Sequence, residues 1–143
     1  MRRVIPLLAV LTFAFAPLPL PKPVKKTDRG MLCGTWELAS QTCGGVPQQR
    51  ELKWVFTERA SELTADHATS PWEVDLDQKK YPKTIDFRVV MPGRAPPPFR
   101  GVYALDGDDF KVCYDALDRT ARPKDLSGRG ASEVLWVFKR MKP

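Results

Sequence analysis

From Cys33 onward the chain is a succession of short runs that alternate apolar with polar residues, each ended by glycine, proline or aspartate. Alternation with period two is the mark of a strand with one face buried. "CGTWELASQTC" puts Trp36 and Leu38 on one face and Glu37 on the other, and "LKWVFT" sets Trp54 and Phe56 opposite Lys53. "PWEVDLD" divides most cleanly, with Trp72, Val74 and Leu76 against Glu73, Asp75 and Asp77. "TIDFRVVM" alternates Ile85, Phe87 and Val89 with Asp86 and Arg88. Two more strands are expected over 99–105 and 110–114. "EVLWVFKR" is the last, apolar on both faces until its basic end. "ASELTA" reads as a weak strand or a turn of helix. "GGVPQ", "PGRAPPP" and "ARPKDLSGRGAS" are breaks and loops. About eight short strands with close turns and no useful amphipathic helix predict an all-β sandwich or barrel, and disfavour an α/β fold.

The acidic corner "LDGDDF" joins two of these strands. Asp-Gly is a hairpin signal, because glycine accepts the positive φ of a tight turn. A calcium loop needs more oxygen ligands at set spacings, and the twelve-residue EF-hand pattern is missing here. Asp106 to Asp109 are therefore read as a turn, and no metal site is expected.

Before the strands lie two other segments. "MRR" is followed by an apolar run over 4–16, shorter than the ~20 residues a spanning helix needs. Residues 1–16 read as an export signal. Pro17 hinders cleavage directly after Ala16, so cleavage falls elsewhere or the segment stays as a membrane anchor. Residues 17–30, rich in proline and lysine, read as an extended linker. The folded domain is expected over 31–143, in a periplasmic, envelope or extracellular setting. The formal charge is +6, but the part before Met31 carries six of 23 basic residues and one of 17 acidic ones. The domain itself is close to neutral, with one local basic cluster at Lys79, Lys80 and Lys83, so no nucleic-acid partner is expected. Export permits a disulfide. Cys33 and Cys43 lie too far apart along one strand to pair, which leaves Cys33–Cys113, Cys43–Cys113 or three free thiols.

Catalytic chemistry finds little support. His67 is the single histidine, in the loop-like "TADHATS". Ser61, Ser70 and Asp66 are near it in sequence, but no nucleophile elbow or phosphate-binding glycine loop is present. One histidine and three scattered cysteines do not make a zinc site. No enzyme activity and no cofactor are expected. Inward-facing aromatic residues recur on separate strands, and they either fill the core or line a cavity for an apolar ligand. Trp54, Phe56, Phe87 and Tyr103 are the candidate ligand contacts.

"LCGTWEL", "WVFT", "YPKTIDF", "FRGVYALDGDDFKVCYD", "ARPKDL" and "VFKR" occur in this order. Together they resemble a lipocalin-like (calycin) domain family frequent in planctomycete-type bacterial proteins, across nearly all of residues 31–142. The resemblance implies an antiparallel up-and-down β-barrel of about eight strands. It also implies that Gly34 and Trp36 open the first strand, and that Arg140 on the last covers the tryptophan and closes the barrel. It assigns no activity. Full lipocalins are longer and carry a helix after the barrel, and fatty-acid-binding relatives insert a helical lid where "GGVPQQ" is too short for one. The expected function is an exported, non-enzymatic barrel binding a small apolar ligand or a protein surface. The alternative is a structural or interaction module of the cell envelope with a filled barrel. In that case "MPGRAPPP" and "DRTARPKDLSGRG", with Arg119, Arg122 and Arg129, would supply contacts to acidic partners. Membrane association is expected only through an uncleaved signal.

Overall fold

The computed structural model describes residues 19–21 and 26–143. The expected export signal and part of the expected linker lie outside the described residues. Among the described residues, a short helix, α1 (Asp28–Leu32), precedes nine strands. These are β1 (Gly34–Cys43), β2 (Val46–Gln48), β3 (Leu52–Phe56), β4 (Ser61–Ala65) and β5 (Ala68–Asp77), then β6 (Lys83–Val89), β7 (Phe99–Asp106), β8 (Asp109–Asp115) and β9 (Glu133–Arg140). Every pairing is antiparallel, and from β3 to β9 each strand pairs with the next in the chain. β1 pairs with β3 on one edge and β9 on the other, which closes an eight-stranded up-and-down barrel. The sequence did not single out β2, which adds to the far half of β1 beyond its pairing with β3.

Local chemistry sets the turns. Gly107 has φ +56°, and Asp106 pairs with Asp109, so the acidic corner is a two-residue hairpin. Asp108 and Asp109 meet cations of the last strand, Arg140 and Lys139 respectively. The β4–β5 hairpin places Asp66 and His67 at φ +50° and +71°. Both residues are exposed.

The barrel closes where the first and last strands meet. Trp36 is the register partner of Arg140. The guanidinium carbon lies 4.3 Å from the indole centroid, a cation–π contact. The same guanidinium donates to the carbonyls of Cys33 and Met31 and pairs with Asp108. Gly34 has φ +129°, and a Cβ there would lie 3.1 Å from an Arg140 nitrogen. Any side chain would meet both an unfavourable backbone and the capping group.

α1 plugs this end. Thr27 caps it by accepting from the Gly30 N–H, and the Leu32 carbonyl accepts from the Trp36 indole at 2.8 Å. Asp28 is 4% exposed, yet its carboxylate accepts from Lys83 Nζ and the Tyr103 hydroxyl, each at 2.7 Å. A buried charge is tolerable only with such partners. Residues 28–30 thus belong to the folded unit rather than to an extended linker. Lys83, read as part of a solvated cluster, is one of the groups that hold them.

The connection over 116–132 runs along the outer wall. Val102 and Cys113 are register partners that alternate with the core residues Tyr103, Val112 and Tyr114, so they point outward. They are nonetheless 1% and 0% exposed. Arg122 fastens the loop over them by donating to the Gly101 carbonyl at 2.6 Å and to Asp86 at 2.7 Å. Arg119 lies 4.0 Å over the Phe99 ring and donates to the Pro97 carbonyl. All three cysteines are free. Cys43 packs against the core inside the barrel, whereas Cys113 faces out, so the sheet separates those two.

Two outcomes follow from this arrangement. Arg140→Lys loses the flat stack and the forked donors, and should lower stability by about 1–3 kcal/mol in urea unfolding. Burial, then the Glu133 charge, pushes the Cys113 thiol up from 9.0 to about 11. A raised folded-state value favours the folded chain fully below pH 9, and that contribution is lost as pH rises towards 11. Stability should therefore fall across this window, and Cys113→Ala should flatten the fall.

Candidate functional site

The interior is filled unevenly. Trp54 sits at its centre, with the rings of Phe56, Phe87, Phe110, Trp136 and Phe138 at centroid distances from 4.8 to 6.2 Å. Trp36 and Tyr103 continue this column towards α1 through Phe110. At the other end, inward positions of the β4–β5 hairpin carry Ala65, Ala68 and Ser70, with little volume. A cavity of about 280 Å³ results, open at the end opposite α1. Trp72, Phe87, Phe99, Tyr114 and Trp136 form its aromatic wall, and Leu52 and Leu63 its aliphatic side.

The rings are placed by register. Phe87 on β6 is the partner of Phe99 on β7, their centroids 5.4 Å apart and their planes 30° apart. Trp72 continues the row, at 25° to Phe99. Tyr114 stands edge-on to Phe87 at 88° and lies 4.8 Å from Trp136. The Trp136 indole donates to Gln41 Oε1 at 3.0 Å, and Gln41 Nε2 donates to Gln48 of β2 at 3.1 Å. Gln41 is buried, so these bonds satisfy it and fix the Trp136 ring.

Among the described residues, Arg50 is the one charged side chain on the cavity wall. It lies on the connection from β2 to β3, at the rim. Asp66 of the β4–β5 turn is 3.7 Å away, and both side chains are largely exposed. Such a pair contributes about 0–1 kcal/mol, so a competing anion can displace it. Burial pushes the Tyr114 hydroxyl above its ordinary value, and the Arg50 charge pulls it back down. Arg50 also borders a depression of about 430 Å³ beside a gap in the barrel wall. β1 is bulged between Leu38 and Ser40; its pairing with β3 ends at Glu37 and its pairing with β2 begins at Gln41. Residues 38–40 and 49–51 therefore face each other outside those ladders.

Of the four aromatic residues singled out from sequence, Phe87 lines the cavity. Trp54, Phe56 and Tyr103 are 0%, 2% and 1% exposed and lie within the packed column or at the α1 end. Gly34, Trp36 and Arg140 meet at barrel closure. Trp72, Phe99, Tyr114, Trp136 and Arg50 were not selected. Alternation put Trp72 inward, but only the strand register shows which inward residues share an end. The sequence carries no signal for Arg50. Of the groups near His67, Asp66 pairs with Arg50, Ser61 Oγ donates to the Trp72 carbonyl, and Ser70 lies on the cavity wall. Among the described residues, no cluster of three His, Cys, Asp or Glu side chains is arranged to hold a metal ion.

No family model, curated protein or solved structure matches this chain.

Packing and cavity wall should respond differently to truncation. Trp54→Ala removes the centre of the column and should cost about 3–5 kcal/mol, whereas Trp72→Ala at the half-buried rim should cost less than about 2 kcal/mol. Denaturant midpoints of the two variants provide the measurement.

Proposed function

We propose that the protein is an exported, non-enzymatic, lipocalin-like barrel that holds a small apolar ligand in the cup at its open end. The observation that carries this reading is the cavity of about 280 Å³ walled by five aromatic rings. Ligand sites are concave and mainly apolar, with a few polar groups that set orientation. The volume is roughly twice the ~150 Å³ that admits benzene in an engineered apolar cavity. It suits a compact molecule of one or two rings better than a long chain.

The rival reading, a filled barrel acting through its loops, has less support. Arg119 and Arg122, two of the three loop arginines that would meet acidic partners, are engaged within the chain.

Titration with naphthylmethanol, a neutral aromatic probe, tests the proposal by NMR of the indole N–H groups. Binding with Kd on the order of 0.1 mM is expected, which corresponds to about −5.5 kcal/mol. The Trp72 and Trp136 signals should shift, and that of Trp36 should not. Ala68→Phe, which fills the cup, should abolish the shifts without unfolding the barrel. Unchanged spectra at millimolar probe would overturn the reading.

A further inference from the structure

We infer that the ligand of this cup is a flat aromatic acid, its ring against the aromatic wall and its carboxylate at Arg50 and Tyr114. The inference rests on the proposed ligand-binding role and adds the chemical class of the occupant. Three observations carry it.

The first is the sign of the charge. Among the described residues, Arg50 alone of those lining the cavity is charged, whereas its partner Asp66 lies outside that wall. A cation at the mouth of a low-dielectric pocket favours an anion and disfavours a second cation. A guanidinium also offers parallel donors that match a carboxylate. The second is the Tyr114 hydroxyl. Tyr114 lines the same cavity as Arg50, and its hydroxyl makes no hydrogen bond among the described residues. A phenol so placed can donate to an oxygen of the ligand. The third is the shape of the wall. Phe87, Phe99 and Trp72 lie within 25° to 41° of one another and Trp136 lies at 42° to Phe87, while Tyr114 stands across Phe99 and Phe87 at 64° and 88°. That arrangement offers faces on one side and edges on the other, the two contacts an aromatic ring prefers. A flexible acyl chain would gain less from it.

The exposed Arg50–Asp66 pair is then the resting state of the mouth. An incoming carboxylate takes the place of Asp66 on the guanidinium, and the displaced aspartate returns to water.

Three probes separate the parts of this inference: naphthoate, naphthylmethanol with the same rings and no charge, and octanoate with the charge and no ring. Isothermal titration of the barrel should show naphthoate about 10- to 100-fold tighter than naphthylmethanol, the range expected for hydrogen bonds to a charged group. Octanoate should bind about tenfold more weakly than naphthoate. Arg50→Gln should remove the advantage of the acid, bringing naphthoate to the affinity that naphthylmethanol has for the same variant. Arg50→Lys, which keeps charge but not the fork, should fall between. Tyr114→Phe should weaken naphthoate more than it weakens the alcohol. Asp66→Asn, which frees Arg50 and suits the positive-φ turn, should tighten naphthoate by about two- to fivefold. Equal binding of acid and alcohol, or an acid preference that survives Arg50→Gln, would overturn the assignment of the head group while ligand binding stands. Octanoate matching naphthoate would overturn the aromatic part. Failure of all three probes to bind would remove the ligand-binding role itself, and this inference with it.

Discussion

The seam between β1 and β9 is the contact on which the rest depends. Without it the molecule is an eight-stranded meander with two open edges, and open edges are liable to pair with other chains. Arg140 joins the seam to its surroundings. It covers the Trp36 face, holds the carbonyls of Met31 and Cys33, and pairs with Asp108 of the β7–β8 turn. Gly34 leaves the room this requires. α1 then rests on the closed barrel, joined to it by the Trp36 indole and by Asp28 with Lys83 and Tyr103. Helix, first strand, last strand and one hairpin turn are tied together at one end.

The other end follows from side-chain volume. An eight-stranded barrel has just enough interior for its own side chains or for one small ligand. From Trp36 to Trp136 large rings fill that space. Ala65, Ala68 and Ser70 do not, and the neighbouring rings are held away from the gap by their own contacts. Gln41 fixes Trp136, and the stack with Phe99 fixes Phe87, so neither turns in to close it. The loops confirm the division of labour between inside and outside. The connection over 116–132 is drawn down the outer wall by Arg122, where it buries Val102 and Cys113, and Arg119 of the same connection lies over the Phe99 ring.

Much of this was legible because strand patterning is local. Alternation in "PWEVDLD" and "TIDFRVVM" marks which side chains point inward, and Asp-Gly marks the β7–β8 turn. What alternation cannot express is height along the barrel axis. Trp54 and Trp72 look alike as inward tryptophans, yet one is the centre of the packed column and the other stands at the mouth. Their difference arises from register across strands that are distant in sequence. The same holds for Val102 and Cys113, whose outward positions are buried by a loop that the pattern reads as free. α1 was hidden for another reason. Its five residues are too few for helical periodicity, and its stability comes from Asp28, whose partners Lys83 and Tyr103 lie far along the chain. Arg50 belongs to no periodic element at all, and its place at the cup is set by the break between β2 and β3.

The barrel is sealed and filled at the Trp36 end and open and apolar at the Trp136 end. Xenon enters dry apolar cavities, whereas a packed core or a polar, wet pocket does not hold it. Crystals pressurised with xenon should therefore show a heavy-atom peak between Trp72, Phe99, Tyr114 and Trp136, and none beside Trp36 or Tyr103. Xenon absent from the cup, or bound instead at the α1 end, would contradict that division.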